Sequence, residues 1–121
     1  MTTSQSSSTP PPSVVTKAYD VLLWCVQHVG KFPRSHRFLL GDRIEGTMLQ
    51  VVLLLVEAAY EGRKEPLLRR ANLELEKLRI LLRLSKDLGL TSLRQYEFIS
   101  HECVGLGQQV GGWLRFQRYK A

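Results

Sequence analysis

Three histidines and two cysteines are the side chains in this chain best suited to hold a metal or attack an electrophile, and their spacing supports neither use. His28, His36 and His101 fall in separate segments, and no pair is spaced to set two ligands on one face of a helix. His101, Glu102 and Cys103 are consecutive, so a helix points them in different directions. A nucleophile needs a positioned base. The chain has no nucleophile elbow, no Cys–His signature and no inward Glu-x-x-His pair. We therefore expect no catalytic residue, no metal or other cofactor and no small-molecule substrate. Cys25 and Cys103 lie far apart and outside any Cys-x-x-Cys, which fits two buried free thiols in a reducing cytoplasm better than a disulfide framework. Gly105-Leu106-Gly107 follows no strand, so with Gly111 and Gly112 it reads as a close-packing site between helices and not as a phosphate loop.

Charge is the chemistry that remains. Lys and Arg number 17 against 11 Asp and Glu, a net charge of +6 that attracts polyanions at long range. Nucleic acid, an anionic membrane surface and an acidic protein are the partner classes this admits. The longest apolar run, Val51 to Val56, is far short of the roughly 20 residues that span a bilayer. Met1 to Ser13 shows neither a secretory nor a transit pattern, so a soluble cytoplasmic protein with no membrane partner is expected. Near the end, Trp113, Phe116 and Tyr119 interleave with Arg115, Arg118 and Lys120, a pattern able to stack on bases, although core packing accounts better for Trp113.

The elements that position these cations follow from apolar periodicity. Residues 1–13 are almost entirely Ser, Thr, Gln and Pro, with nothing to bury, and are expected to form a disordered tail ahead of one domain over 14–121. A first helix places Val15, Ala18, Tyr19, Leu22, Cys25, Val26 and Val29 on one stripe and stops at Gly30. A second begins between Pro33 and Phe38, runs to Tyr60 or Glu61, and carries Leu40, Ile44, Met48, Val51, Leu55, Ala58 and Ala59 inward. A third runs from Glu65 to Leu88, with Pro66 in its first turn and Gly89 as C-terminal cap. A fourth, capped by Thr91 or Ser92, extends to about Arg118 with Leu93, Tyr96, Ile99, Cys103, Leu106, Val110 and Trp113 on its stripe. The fold class is all-α: an antiparallel up-down-up-down four-helix bundle.

The third helix has more apolar surface than one core face requires. Leu67, Leu68, Ala71, Leu75, Leu78 and Leu82 form the core face, while Leu73, Ile80, Leu81, Leu84 and Leu88 form a second face that calls for a partner. Between them runs a narrow polar stripe of Arg69, Asn72, Glu76, Arg79, Arg83 and Lys86, with Asp87 at its edge. A solvated face with local Glu76–Arg79 pairing would look the same. If copies associate through the second face, Arg79 and Arg83 recur around a closed ring and their summed field favours phosphates.

Three stretches carry a family resemblance: Phe32-Pro33-Arg34-Ser35-His36-Arg37-Phe38, Leu78-Arg79-Ile80-Leu81-Leu82-Arg83-Leu84 and Gly111-Gly112-Trp113-Leu114-Arg115. Over residues 16–119 the chain resembles the accessory variability determinant family of diversity-generating retroelements. That family sits in a larger group of four-helix bundle proteins that includes those encoded in bacterial ribosomal RNA intervening sequences. The resemblance implies a homopentameric barrel with a positive surface, binding a reverse transcriptase and its template RNA or DNA during mutagenic reverse transcription. The intervening-sequence branch would imply a protein-only assembly scaffold instead. By the resemblance, Arg79 and Arg83 fall where the family keeps basic residues, and Arg34 and Arg37 fall in its loop motif. The expected nucleic-acid contacts are thus Arg79, Arg83, Lys86, Arg69, Arg34 and Arg37, and the expected oligomer contacts Leu73, Ile80, Leu81, Leu84 and Leu88.

Overall fold

Among residues 12–120, which the computed structural model describes, the chain is helical apart from short turns and has no strand. The elements are α1 (Pro12–Val29), α2 (Arg34–His36), a π turn (Arg37–Gly41), α3 (Asp42–Tyr60), α4 (Glu65–Asp87) and α5 (Leu93–Lys120). Of the expected tail, only Pro12 and Ser13 fall among the described residues, and α1 begins with them.

The helix ends are fixed by local chemistry. Gly89, at φ +78°, ends α4 in a Schellman arrangement: its N–H donates to the Lys86 carbonyl, and the Leu90 N–H donates to the Ser85 carbonyl, both at 2.9 Å. Of the two residues expected to cap the last helix, Ser92 does so. The Gln95 N–H donates to Ser92 Oγ at 3.1 Å and the Ser92 N–H donates back to Gln95 Oε1 at 2.9 Å, a reciprocal capping box. At the opposite end, the Lys64 ammonium donates to the carbonyls of Ala58 and Glu61, both at 2.8 Å, so this cation closes α3.

The second expected helix is a rod over residues 34–60 interrupted by a π turn, which its sequence spacing did not foretell. The wider turn buries Leu40 and Gly41 while leaving Phe38 and Leu39 outward. Gly41 has a packing reason: a Cβ there would stand 2.6 Å from Val29 Cγ1, so only glycine lets the end of α1 sit this close.

Contacts along the helices establish the antiparallel arrangement. As α1 advances through Lys17, Trp24 and His28, its partners recede through Glu102, Phe98 and Thr91. As α4 runs from Glu65 to Lys86, its partners on α5 run from Arg118 back to Tyr96. The four long helices therefore pack up-down-up-down, as expected. The core holds Ile44, Met48, Val51, Leu55 and Ala58 of α3, Leu68, Ala71, Leu75, Leu78 and Leu82 of α4, and Ile99, Cys103, Leu106, Val110 and Trp113 of α5.

Three expected packing details differ. On α1 the buried set is Val14, Ala18, Val21, Cys25 and Val29, while Tyr19 and Val26 are exposed. Leu93 is exposed because it lies in the first turn of α5, short of the core layer. Of the glycines on α5 only Gly105 meets another helix, with a Cβ there 3.2 Å from Lys17 Cε; Gly111 and Gly112 face Arg115 of their own helix, and Gly107 faces open space.

One polar chain crosses the interior beside the α4–α5 turn. The Ser85 hydroxyl donates to the Leu82 carbonyl at 2.7 Å, which uses its only proton. Thr91 Oγ1, 2.7 Å from Ser85 Oγ, must therefore be the donor of that pair, and His28 Nε2, 2.7 Å from Thr91 Oγ1, must donate in turn. His28 is thus held as the Nε2–H tautomer, stacked on Trp24 at 4.5 Å. Burial, helped by the Lys31 charge, holds its pKa below the usual 6.5.

Candidate nucleic-acid interface

The polar stripe of α4 lies on the edge that meets α5. Lys86 Nζ sits 4.8 Å from the Tyr96 ring centre, and Arg79 is close enough to Cys103 for its charge to bear on the thiol. Arg79 and Arg83 are about one turn apart on this edge, about 6 Å along the axis. Arg83 has no ion-pair partner among the described residues, whereas Arg79 is paired with Glu76 at 3.2 Å across exposed surface. An exposed pair of this kind contributes about 0–1 kcal/mol and exchanges readily for a phosphate. Lys86 lies 3.4 Å from Asp87.

The other expected contacts are more committed. Arg69 donates to Glu65 at 2.6 Å, which holds that carboxyl below the usual carboxylate range, and Arg118 approaches the same carboxylate at 4.0 Å. Arg37 donates to the carbonyls of Gly30 and Phe32, both at 3.2 Å, so it clamps the loop after α1. Arg34 stands exposed at the start of α2 and is not brought near Arg79 or Arg83 by any contact. Spacing along the chain carries no signal for the Arg37 clamp, because the acceptors are backbone carbonyls.

The second apolar face of α4 is present beside this edge. Leu73, Ile80, Leu84 and Leu88 are exposed, Ile80 to 65%, while Leu81 turns inward and packs against the core. A further apolar strip, missed in the sequence, joins α1 to α3: Leu23 and Val26 of α1 and Leu49, Leu53 and Val56 of α3 are all exposed. The α3 members recur at the three- and four-residue steps of a helical face, which is the signal that was available.

A wide cavity of about 730 Å³ lies at the turn between α3 and α4, but two of its cations are already used, Lys64 by carbonyls and Arg69 by Glu65. Among the described residues no group of three or more His, Cys, Asp or Glu side chains could hold a metal ion. No described helix is long and apolar enough to cross a membrane.

A family model described as bAvd-like matches residues 13–117. The chain belongs to the bAvd-like family. Its members are accessory proteins rather than catalysts, and membership supports an accessory role for this one. No curated protein and no solved structure matches the chain. The matched span takes in α2, α3 and α4 whole, nearly all of α1 and α5, and the whole stripe from Arg69 to Lys86, so the bAvd-like assignment and the candidate interface concern the same domain.

Proposed function

We propose that this bAvd-like protein is a non-enzymatic, oligomeric accessory subunit that binds template RNA or DNA and a reverse transcriptase in a diversity-generating retroelement. The observation that carries the reading is the α4 edge, where Arg79, Arg83 and Lys86 form a cationic line flanked by an exposed apolar strip. Copies associate through Leu73, Ile80, Leu84 and Leu88. The α1–α3 strip is an unlike second face, rimmed by Asp20, Glu45 and Glu57, that complements the Lys77 side of α4. Contact between unlike faces closes into rings when the rotation permits, and a homopentamer is the number the family resemblance supplies. A ring repeats the α4 cations around one surface, which is how a chain of net charge +6 becomes a polyanion-binding assembly.

The test is the double variant Arg79→Ala with Arg83→Ala, measured by anisotropy on labelled RNA and DNA across a salt series. Helicity and oligomer mass should stay unchanged, while affinity falls and the salt slope shrinks by about 1–2 because fewer counterions are released. Arg63→Ala with Arg70→Ala is the control, since these two exposed cations lie off the edge. Equal losses in both double variants, or no binding by the native protein at low salt, would favour the protein-only scaffold of the intervening-sequence branch.

A further inference from the structure

Gly46 lies in the interior of α3, where glycine is a poor helix former, and nothing stands within 4 Å of the place its Cβ would occupy. Packing inside the chain gives no reason for the missing side chain. The bare backbone instead lines an open cavity of about 300 Å³ beside the π turn, together with Phe38, Asp42, Arg43, Thr47 and Glu74. Phe38 is 67% exposed on its rim and Leu39 is 79% exposed beside it, so neither ring nor aliphatic chain serves the core. Local π turns of this kind recur at functional sites.

The lining decides the ligand's charge. The carboxylates of Asp42 and Glu74 repel a phosphate, but they accept hydrogen bonds, as does the Thr47 hydroxyl; Lys77 engages one Glu74 oxygen at 3.0 Å, and Asp42 has no ion-pair partner among the described residues. A flat, neutral ring with N–H donors fits such a lining, with the Phe38 ring as its stacking platform. Arg43, which also lines the cavity, has no ion-pair partner among the described residues and suits the phosphate next to that ring.

We propose that the cavity beside the π turn takes one unpaired nucleobase bearing an exocyclic amino group, presented by a single-stranded nucleic acid. Phe38 stacks on the base, Asp42 or Glu74 accepts from the amino group, and Gly46 lets the ring edge approach the α3 backbone. A paired base in a duplex cannot enter. This rests on the nucleic-acid reading above, but it names a different surface from the α4 edge.

The experiment measures binding of the full chain to oligo(dC), oligo(C), oligo(dT) and a DNA duplex at low salt, with oligomer mass followed by light scattering. Oligo(dC) and oligo(C) should bind more tightly than oligo(dT), which lacks the amino group. Phe38→Ala should weaken oligo(dC) binding about tenfold or more while leaving duplex binding unchanged, and Phe38→Trp should restore it. Gly46→Ala should raise the thermal midpoint by about 2–4 °C and still weaken oligo(dC), a pairing of effects that loss of folding cannot produce. The base site is overturned, with duplex binding left standing, if both alanine variants bind oligo(dC) like the native protein or lose single strand and duplex alike. A change of oligomer mass in Phe38→Ala would make the rim a contact between copies and overturn it too. Competition by free dCMP at the strength of the oligonucleotide overturns the strand as occupant. If the native protein binds none of the four, the base site and the wider reading fall together.

Discussion

Thr91→Val removes the middle hydroxyl of the His28–Thr91–Ser85 chain at nearly constant volume, so its cost measures hydrogen bonding and not packing. Two bonds of 2.7 Å disappear. Ser85 keeps its donor bond to Leu82 and loses only a partner for its lone pair, a small change. The His28 Nε2–H is the group left buried without an acceptor, and an orphaned buried donor costs about 1–3 kcal/mol. For a domain of this size, with a midpoint shift of about 3–6 °C per kcal/mol, the variant should melt roughly 3–18 °C below the native protein. Thr91→Ser keeps the hydroxyl and should recover most of the loss. The assay is thermal unfolding by circular dichroism at pH 7.5, with Thr91→Val, Ser85→Ala and the pair forming a double-mutant cycle. A drop of less than about 1 °C for Thr91→Val, or equal drops for Thr91→Val and Thr91→Ser, would refute the assigned directions.

Three further outcomes follow from the same geometry. Because His28 binds its proton less readily when folded, the unfolded chain takes it up first as pH falls below 6.5; stability should decline there, and His28→Gln, which can still donate to Thr91, should flatten that decline in urea titrations at pH 7.5 and pH 5.5. Gly41→Ala should destabilise by about 1–3 kcal/mol, because its Cβ collides with Val29, and an unchanged urea midpoint would refute the close packing of α1 on the π turn. Burial pushes the Cys103 thiol up to about 12 and raises Cys25 as well, so both should resist a thiol reagent in the native protein at pH 8 and react at once in denaturant.

Sequence pattern was most informative where a local rule decides structure. Pro66 and Gly89 bracket α4 because one tolerates a missing N–H and the other supplies a left-handed turn, and neither depends on the rest of the fold. The inward stripes of α4 and α5 were legible because polar residues separate them from the outer faces, whereas on α3 the unbroken apolar run Val51 to Val56 concealed both the inward Val52 and Leu54 and the outward Leu53 and Val56. On α1 the pattern was ambiguous: Val14, Val15, Ala18, Tyr19, Val21, Leu22 and Leu23 surround the helix, so two stripes fit and only the neighbouring helices choose. The Arg79–Arg83 spacing was readable, but the diversion of Arg37 and Lys64 to backbone carbonyls was not, since no sequence neighbour marks an acceptor that folding creates. Phe38-Leu39-Leu40 held a clue: three consecutive apolar residues on a helix cannot all face one core.

The ion pair between Lys17 and Glu102 joins residues 85 positions apart, at 2.8 Å. During synthesis at about 5–20 residues per second, α1 leaves the ribosome roughly 4–17 s before the partner stretch of α5 exists. Through that interval the nascent chain can build α1 against α3 and α3 against α4, since those contacts close short loops. The flank of α1 that later meets α5 stays wet. Trp24 on that flank therefore stays uncovered until α5 is made, and its aromatic contact with Phe98 at 6.2 Å forms only then.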